Sequence, residues 1–150
     1  MITLPRAVLD DARLFMEDRG AEGLEGTGML AGTTGGAITR CVIPDQIGHR
    51  TRFGVAVEVT RAGKLQLAGA LGPDERWIAR IHSHPNEAFH SPTDDGNPAI
   101  TADGAISIVV PFFGLGLRRG LGACAVHRFR DGRWVQLTAG EIDGLIEVTG

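Results

Sequence analysis

The amino-acid sequence predicts an α+β fold with a mixed β-sheet flanked by helices. Short runs rich in β-branched residues indicate strands, segments with apolar residues at helical spacing indicate helices, and glycine-rich turns separate the two. The chain has 150 residues, of which 43% are apolar and 22% are charged. Because this length and composition are typical of one globular domain with its own core, we expect a single domain over residues 1–150.

The first half of the chain is predicted to hold two helices and three strands. Pro5 suits the first position of a helix over residues 5–19, whose apolar stripe consists of Val8, Ala12, Phe15 and Met16. Gly35-Gly36 is typical of a hairpin turn, and Thr60 can cap the second helix. The other predicted elements are strands over 27–32, 37–43 and 55–59, a loop over 44–51 and the second helix over 61–71.

The second half is predicted to add four strands and a short helix. A buried central strand is expected over 105–110, because this run is continuously apolar and β-branched. Asp131-Gly132 is typical of a tight hairpin turn. The other predicted elements are a turn over 72–74, a strand over 77–82, a proline-containing loop over 85–100 with at most two helical turns, a mobile glycine-rich loop over 114–122, hairpin strands over 123–129 and 133–137, and a final helix over 140–148.

Composition excludes several classes of function. The net charge of −3, from 15 basic and 18 acidic residues, argues against nucleic-acid binding, which needs clustered positive charge. No apolar run is long enough to span a membrane, and acidic residues within the first twenty positions do not fit a signal peptide, so we expect a cytoplasmic protein. Cys41 and Cys124 lie far apart and predict neither a disulfide framework nor a cysteine-rich zinc module.

The segment His82-Ser83-His84-Pro85 carries the clearest chemical pattern. Residues two apart on a strand point to the same face, so His82 and His84 can direct two imidazoles to one point while Ser83 faces the other way. Pro85 cannot continue a central ladder, which puts the pair at the end of the strand. A strand end beside a loop is a suitable place for an open metal site.

A catalytic zinc ion takes three protein ligands and leaves one position for water. Asp94 is the best candidate for the third ligand, because Ser91 and Pro92 are suited to start a helix that would bring it back toward the strand end. Asp95 is the alternative, since a shift of one residue in the loop would exchange the two. His90 is a further loop residue with no fixed geometry, and we expect it to face solvent or substrate.

Each of these motifs is by itself more often structural than functional, whereas their combination in one loop favours a metal site. Hydrolysis also needs a base, and the candidate is Glu25, directly before an apolar strand. Its alternative interpretation is a solvated loop glutamate. His49 and His127 have no partner visible in the sequence and are expected to be structural.

Together these residues resemble the JAMM (MPN-plus, or JAB-type) family of zinc metalloproteases and isopeptidases, in particular its prokaryotic members. The matching segments are Glu25 with the glycine-rich residues 26–32, then 81–85, then Ser91-Pro92-Thr93-Asp94, and the strand 106–111. The resemblance covers most of the chain and implies a cytidine-deaminase-like JAB/MPN architecture. The family usually has seven residues between the second histidine and the serine, whereas this chain has six, which keeps both Asp94 and Asp95 open as ligands.

The resemblance implies a zinc-dependent isopeptidase that acts after the C-terminus of ubiquitin or a ubiquitin-like modifier. In this scheme His82, His84 and Asp94 hold Zn²⁺, Glu25 transfers the proton, and Ser91 stabilises the oxyanion. Expected partners are a ubiquitin-like protein or its conjugate and ubiquitin-activating-like and conjugating-like enzymes, with no nucleic acid and no membrane.

Two other functions stay open at the level of sequence. One is an amidase that releases a small amino acid or amine from a carrier protein or small substrate. The other is a non-catalytic MPN-type scaffold that binds partners without metal. A large amidohydrolase barrel is excluded by length, because that fold takes about 250 residues. The Arg118-Arg119 segment could contact an acidic partner, although a solvated loop is the simpler expectation.

Overall fold

The computed structural model describes residues 1–88 and 102–150. Two short 3₁₀ segments, Phe112–Arg119 and Leu121–Ala123, lie between the central strands and the last hairpin. In chain order the other elements are β1 (Ile2–Pro5), α1 (Arg6–Ala21), β2 (Thr27–Thr33), β3 (Ile38–Val42), β4 (Gln46–Thr51), β5 (Gly54–Val59), α2 (Arg61–Ala70), β6 (Glu75–Ser83), β7 (Ile106–Val110), β8 (Ala125–Arg130), β9 (Arg133–Gln136), α3 (Ala139–Leu145) and β10 (Ile146–Thr149).

The centre of the molecule is a six-stranded sheet with the strand order β3-β2-β6-β7-β8-β9. The pair β6 and β7 is parallel, and the other neighbours in this sheet are antiparallel. Two smaller sheets accompany it: β1 pairs in parallel with β10, and β4 pairs with β5 as an antiparallel hairpin. The prediction of an α+β fold with a mixed sheet is therefore confirmed.

The core lies between one face of the central sheet and α1. Helix α1 buries its apolar stripe, and the two central strands supply the facing side chains. Each fully buried leucine, isoleucine or valine contributes about 1.5–3 kcal/mol to folding. The main contributors are Leu4, Val8, Leu9, Ala12, Met16, Leu30, Ile81, Ile106, Ile108 and Val126. The strands that end at the histidine pair are thus among the most firmly packed of the fold.

Several local predictions are confirmed. Helix α1 begins directly after Pro5, and α2 begins after Thr60, whose hydroxyl accepts a hydrogen bond of 3.0 Å from the Gly63 N–H. The last hairpin turns at Asp131 and Gly132, which both have positive φ, as a type I′ turn requires. In each case the sequence signal depends on neighbouring residues alone, so the prediction does not depend on how the rest of the chain folds.

Three predictions are wrong or incomplete. The expected loop over 44–51 contains β4, which is mostly exposed on both faces and so lacks an apolar alternation. The expected helix over 140–148 ends at Leu145, and the β-branched residues after it form β10 beside the unpredicted strand β1. The glycine-rich segment 114–122 lies within the two 3₁₀ segments, the first of which packs on α1, and it is not a mobile loop, because Gly114, Gly116 and Leu117 are buried.

The described part of the chain contains no helix long and apolar enough to cross a membrane. Of the expected loop over 85–100, only residues 85–88 lie within the described residues.

Candidate metal centre

The end of β6 brings two imidazoles together. His82 and His84 are 6% and 5% exposed, and their Nε2 atoms lie 3.2 Å apart. The ring planes are inclined by 56°, so the rings converge at their nitrogen edges and do not stack. The two-residue period of the strand therefore does what the sequence predicts: it directs both side chains to one point.

This separation fits a shared metal ion. Two nitrogen ligands on a tetrahedral zinc ion, each about 2.0–2.1 Å from it, are about 3.3 Å apart. A nitrogen pair at 3.2 Å needs little movement to accept such an ion.

Glu25 lies directly before β2 and beside the same strand end. Thr27 is paired with His82 across the antiparallel ladder, and the Ser83 N–H bonds the Gly26 carbonyl, so the chain that runs beside the end of β6 leads directly to Glu25. Residues opposite each other in such a pair share a face of the sheet. The side chain of Glu25 is only 7% exposed, so the alternative interpretation of a solvated loop glutamate is wrong.

The main chain directly after Glu25 is held by two neighbouring strands, β6 and β4. The Gly26 N–H donates to Ser83 Oγ at 2.9 Å, and the Ser83 N–H donates to the Gly26 carbonyl at 2.9 Å. On the other side, the Gln46 amide of β4 accepts from the Thr27 N–H and donates to the Thr27 carbonyl, both at 2.9 Å. The loop that carries the carboxylate is thus fixed to β6 and β4.

His84 is fixed by the end of β7 and the segment that follows it. Its N–H donates to the Val110 carbonyl at 2.8 Å, and its carbonyl accepts from the Phe113 N–H at 2.7 Å. The neighbouring Phe112 N–H donates to the Asn86 carbonyl at 2.8 Å. Phe112 and Phe113 have φ values of 56° and 53°, a left-handed conformation that bulky residues adopt only when their surroundings impose it.

Helix α1 packs against this segment. Gly20 leaves room for Phe113, and an added Cβ at Gly20 would overlap the Phe113 side chain. Arg118 bonds Glu17 of α1 with its Nη2 at 2.6 Å and its Nε at 3.2 Å. These bonds, together with Arg13, hold the pKa of the Glu17 carboxyl below its usual range. Arg118 and Arg119 are both exposed, which agrees with the expectation of a solvated segment, and a contact with an acidic partner stays a prediction.

A row of buried polar side chains continues from the histidines along the same sheet face. Arg80 lies two residues before His82, is 3% exposed, and donates from Nε to Ser107 Oγ at 3.0 Å. Its guanidinium lies 4.7 Å from the centre of the Trp134 ring. His127, opposite Ser107 on β8, belongs to this row and is also buried. The sequence signal for this row is Arg80, a charged residue within the otherwise apolar end of β6.

The remaining predicted site residues lie outside the described residues: Ser91, Asp94, Asp95 and His90. Within residues 1–88 and 102–150, no three His, Cys, Asp or Glu side chains are close enough to hold a metal ion. The two histidines therefore need a ligand from elsewhere, and the choice between Asp94 and Asp95 stays a prediction.

The other histidine and the thiols lie apart from this chemistry. His49 is on the exposed β4–β5 hairpin, with its Nε2 3.4 Å from Glu58 Oε2, which agrees with a structural role. Burial raises the pKa of both the Cys41 and the Cys124 thiol to about 12. Because the thiolate is the reactive form, neither cysteine competes with the histidines as a nucleophile or ligand at neutral pH.

Comparison with known proteins finds a curated relative and solved structures of similar fold, while no family model matches the chain. The chain is 34% identical over 116 residues to the probable metalloprotease y4jG of Sinorhizobium fredii (strain NBRC 101917 / NGR234), with 75% of this chain and 72% of the relative aligned. The solution structure of protein DSY2949 from Desulfitobacterium hafniense has a TM-score of 0.61 at 15% identity, covering 99% of this chain and 93% of that one.

The second neighbour is AF2198 from Archaeoglobus fulgidus, a JAB1/MPN domain protein, with a TM-score of 0.49, 15% identity, and 91% and 94% of the two chains covered. At such identities a structural likeness concerns the fold alone, whereas the sequence relationship to the metalloprotease extends over most of both chains. The chain is therefore a metal-dependent hydrolase of the JAMM/MPN metalloprotease family, which its His-Ser-His-Pro segment resembles.

Proposed function

We propose that this protein is a zinc-dependent hydrolase that cleaves peptide or isopeptide bonds after the C-terminus of a ubiquitin-like modifier. The observation that carries the proposal is the convergence of the His82 and His84 Nε2 atoms, 3.2 Å apart, at a buried strand end. Glu25 adds a buried carboxylate directly before β2, the strand that pairs with β6. Two nitrogen donors and one acid are the elements that a metal-assisted hydrolase requires in addition to a third ligand.

In the proposed mechanism His82, His84 and either Asp94 or Asp95 would hold the zinc ion. When bound, the ion would supply Lewis acidity that lowers the pKa of water and polarises the scissile carbonyl. A carboxylate oxygen of Glu25 takes the proton of the attacking water and then gives it to the leaving amine. Proton transfer of this kind contributes about 10²–10⁴-fold to the rate.

The contacts of Glu25 and His84 suit this role. The carboxylate belongs to a segment pinned at Gly26 and Thr27, and the second imidazole belongs to a backbone held by Val110 and Phe113. Fixed groups lose little freedom when the substrate reacts, which is the main advantage that a preorganised site has over water. Ser91 would donate its hydroxyl hydrogen to the developing oxyanion.

The proposed substrate class rests on the motifs. A modifier tail that ends in glycines has no bulky side chains, so it can lie as an extended strand along a sheet edge and reach a buried metal centre. The same ligands would also serve an amidase that removes a single amino acid from a carrier protein. The two activities differ in the length of the product that leaves.

The test compares three substrates with the purified, zinc-loaded protein. These are a ubiquitin-like protein ending in Gly-Gly with a peptide extension, the same protein joined to a lysine side chain, and a set of small aminoacyl amides. Mass spectrometry should show cleavage directly after the second glycine, and a chelator should stop it. Cleavage of the amides alone would favour the amidase. A protein that binds no metal when it is titrated with zinc would favour the non-catalytic scaffold.

A further inference from the structure

We propose that Ser83, the residue between the two histidines, is a positioning residue that holds Glu25 in place through the backbone of Gly26. This inference rests on the base role of Glu25 in the proposed function. Ser83 faces the opposite side of the sheet from His82 and His84, so it touches neither the metal position nor a substrate there.

The contacts of Ser83 are specific to one peptide unit. Its side chain is fully buried, at 0% exposure. The hydroxyl oxygen accepts from the Gly26 N–H at 2.9 Å, and the hydroxyl lies 3.4 Å from the Gly26 carbonyl, to which it can donate. The Ser83 backbone N–H donates to the same carbonyl at 2.9 Å. Both polar groups of Gly26 are therefore bound by a single residue of β6.

The Ser83 hydroxyl accepts the hydrogen bond that a backbone carbonyl would accept in a regular antiparallel ladder. In an antiparallel hydrogen-bonded pair, two residues exchange both of their N–H···O=C bonds. Here the Ser83 N–H keeps its half of the exchange, but the Gly26 N–H donates to the serine hydroxyl. The position of Glu25, one residue earlier, is consequently set by a side chain that can be changed without altering the strand.

Other contacts also reach the backbone at Glu25 and after it. The Glu25 carbonyl accepts a long bond of 3.4 Å from Arg19 Nε, and the Gln46 amide acts one residue further on, at Thr27. Without the hydroxyl, the Gly26 N–H would lose its partner in a dry environment and the segment would be free to seek another position. Displacement of a catalytic carboxylate by about 1 Å is sufficient to slow a reaction about 10²-fold.

The experiment uses three variants of the full chain. Ser83→Ala removes the hydroxyl, Ser83→Cys keeps the size but is a poor acceptor, and Ser83→Thr keeps the oxygen. Thr138→Ala is the control, since it removes another hydroxyl that accepts from a backbone N–H, at the exposed start of α3 after the edge strand β9. We expect kcat to fall about 10- to 100-fold in the first two, with KM and zinc stoichiometry within about twofold of wild type. Thr should restore most of the lost rate.

Two further measurements separate positioning from a merely structural role. In a Glu25→Gln background, Ser83→Ala should cause no additional loss of rate, because the group on which it acts is already gone. A crystal structure of Ser83→Ala, or of Ser83→Cys if the first does not fold, should show the Glu25 carboxylate moved relative to His84.

An unmoved Glu25, a full-rate Ser83→Ala, or zinc lost in proportion to activity would overturn the inference. So would a Thr138→Ala variant that loses kcat to the same extent, since general destabilisation would then explain both. If the wild-type chain cleaves no modifier substrate, the proposed function fails, and the crystal structure alone still decides the role of Ser83.

Discussion

Replacing Gly20 by alanine should weaken metal binding from the far side of the sheet. Gly20 lies in the last turn of α1, where alanine is favoured over glycine by about 0.8–1.0 kcal/mol. An added Cβ would, however, overlap the Phe113 Cβ and lie 3.1 Å from the Phe113 carbonyl oxygen. The neighbour is partly backbone, so it cannot simply rotate away.

The size of the effect follows from these distances. Ordinary carbon–carbon contacts of about 3.5–4.0 Å require Phe113 to retreat by roughly 1 Å. Its hydrogen bond to the His84 carbonyl, now 2.7 Å, would lengthen beyond the usual range of about 3.2 Å. Overpacking of this kind costs about 1–3 kcal/mol, which exceeds the helix-propensity gain, so we expect a net loss of stability of up to about 2 kcal/mol.

Gly69 provides the matched control, because it lies inside α2 and an added Cβ there meets no atom within 4 Å. Gly69→Ala should be neutral or more stable by up to about 1 kcal/mol. Urea unfolding of both variants, with and without zinc, measures stability, and competition with a chromophoric chelator measures metal affinity. A Gly20→Ala protein that is stabilised like Gly69→Ala and binds zinc as wild type does would refute the proposed link between α1 and His84.

Three other changes test the site and the electrostatics. Glu25→Gln should keep bound zinc and the unfolding midpoint but lose at least about 10²-fold in kcat, and a variant with full activity would eliminate Glu25 as the base. His84→Ala should lose stoichiometric zinc by elemental analysis, while retained zinc would show that His84 is not a ligand. Hydrogen bonds from Arg40 and the Gly72 N–H lower the pKa of Glu75 to about 2 from 4.5. Its contribution to stability is therefore complete above about pH 4.5 and is lost as the pH falls toward 2, so the stability difference between wild type and Glu75→Gln should shrink over that range and stay constant above it.

The histidine pair could be predicted because its geometry is local. A strand period of two is enough to place His82 and His84 on one face, and Pro85 is enough to put them at a strand end. The burial of Glu25 is different, since it depends on a pairing between β2 and β6 that joins residues 55 positions apart. In the sequence, only the family motif connects Glu25 with the histidine pair.

The contacts that fix the site left weaker signals in the sequence. Nothing in the sequence of Phe112 and Phe113 indicates positive φ, because the conformation comes from α1 and from the backbone of His84. The role of Gln46 cannot be predicted from the sequence for a related reason. Its strand, β4, is exposed and has no apolar alternation, so its sequence resembles that of a loop. Long-range packing and side-chain bonds to a remote backbone decide such positions, and neither is periodic.

The alternation at the end of β6 determines where this chain can change in length. Insertion or deletion of one residue within the strand would reverse every side chain beyond it, burying the imidazoles in the apolar layer and turning the serine outward. No such alternation of side chains is predicted for the proline-containing segment after Pro85. Natural variation in length should therefore accumulate after the proline, where the chain already differs by one residue from the usual family spacing, and should be almost absent before it.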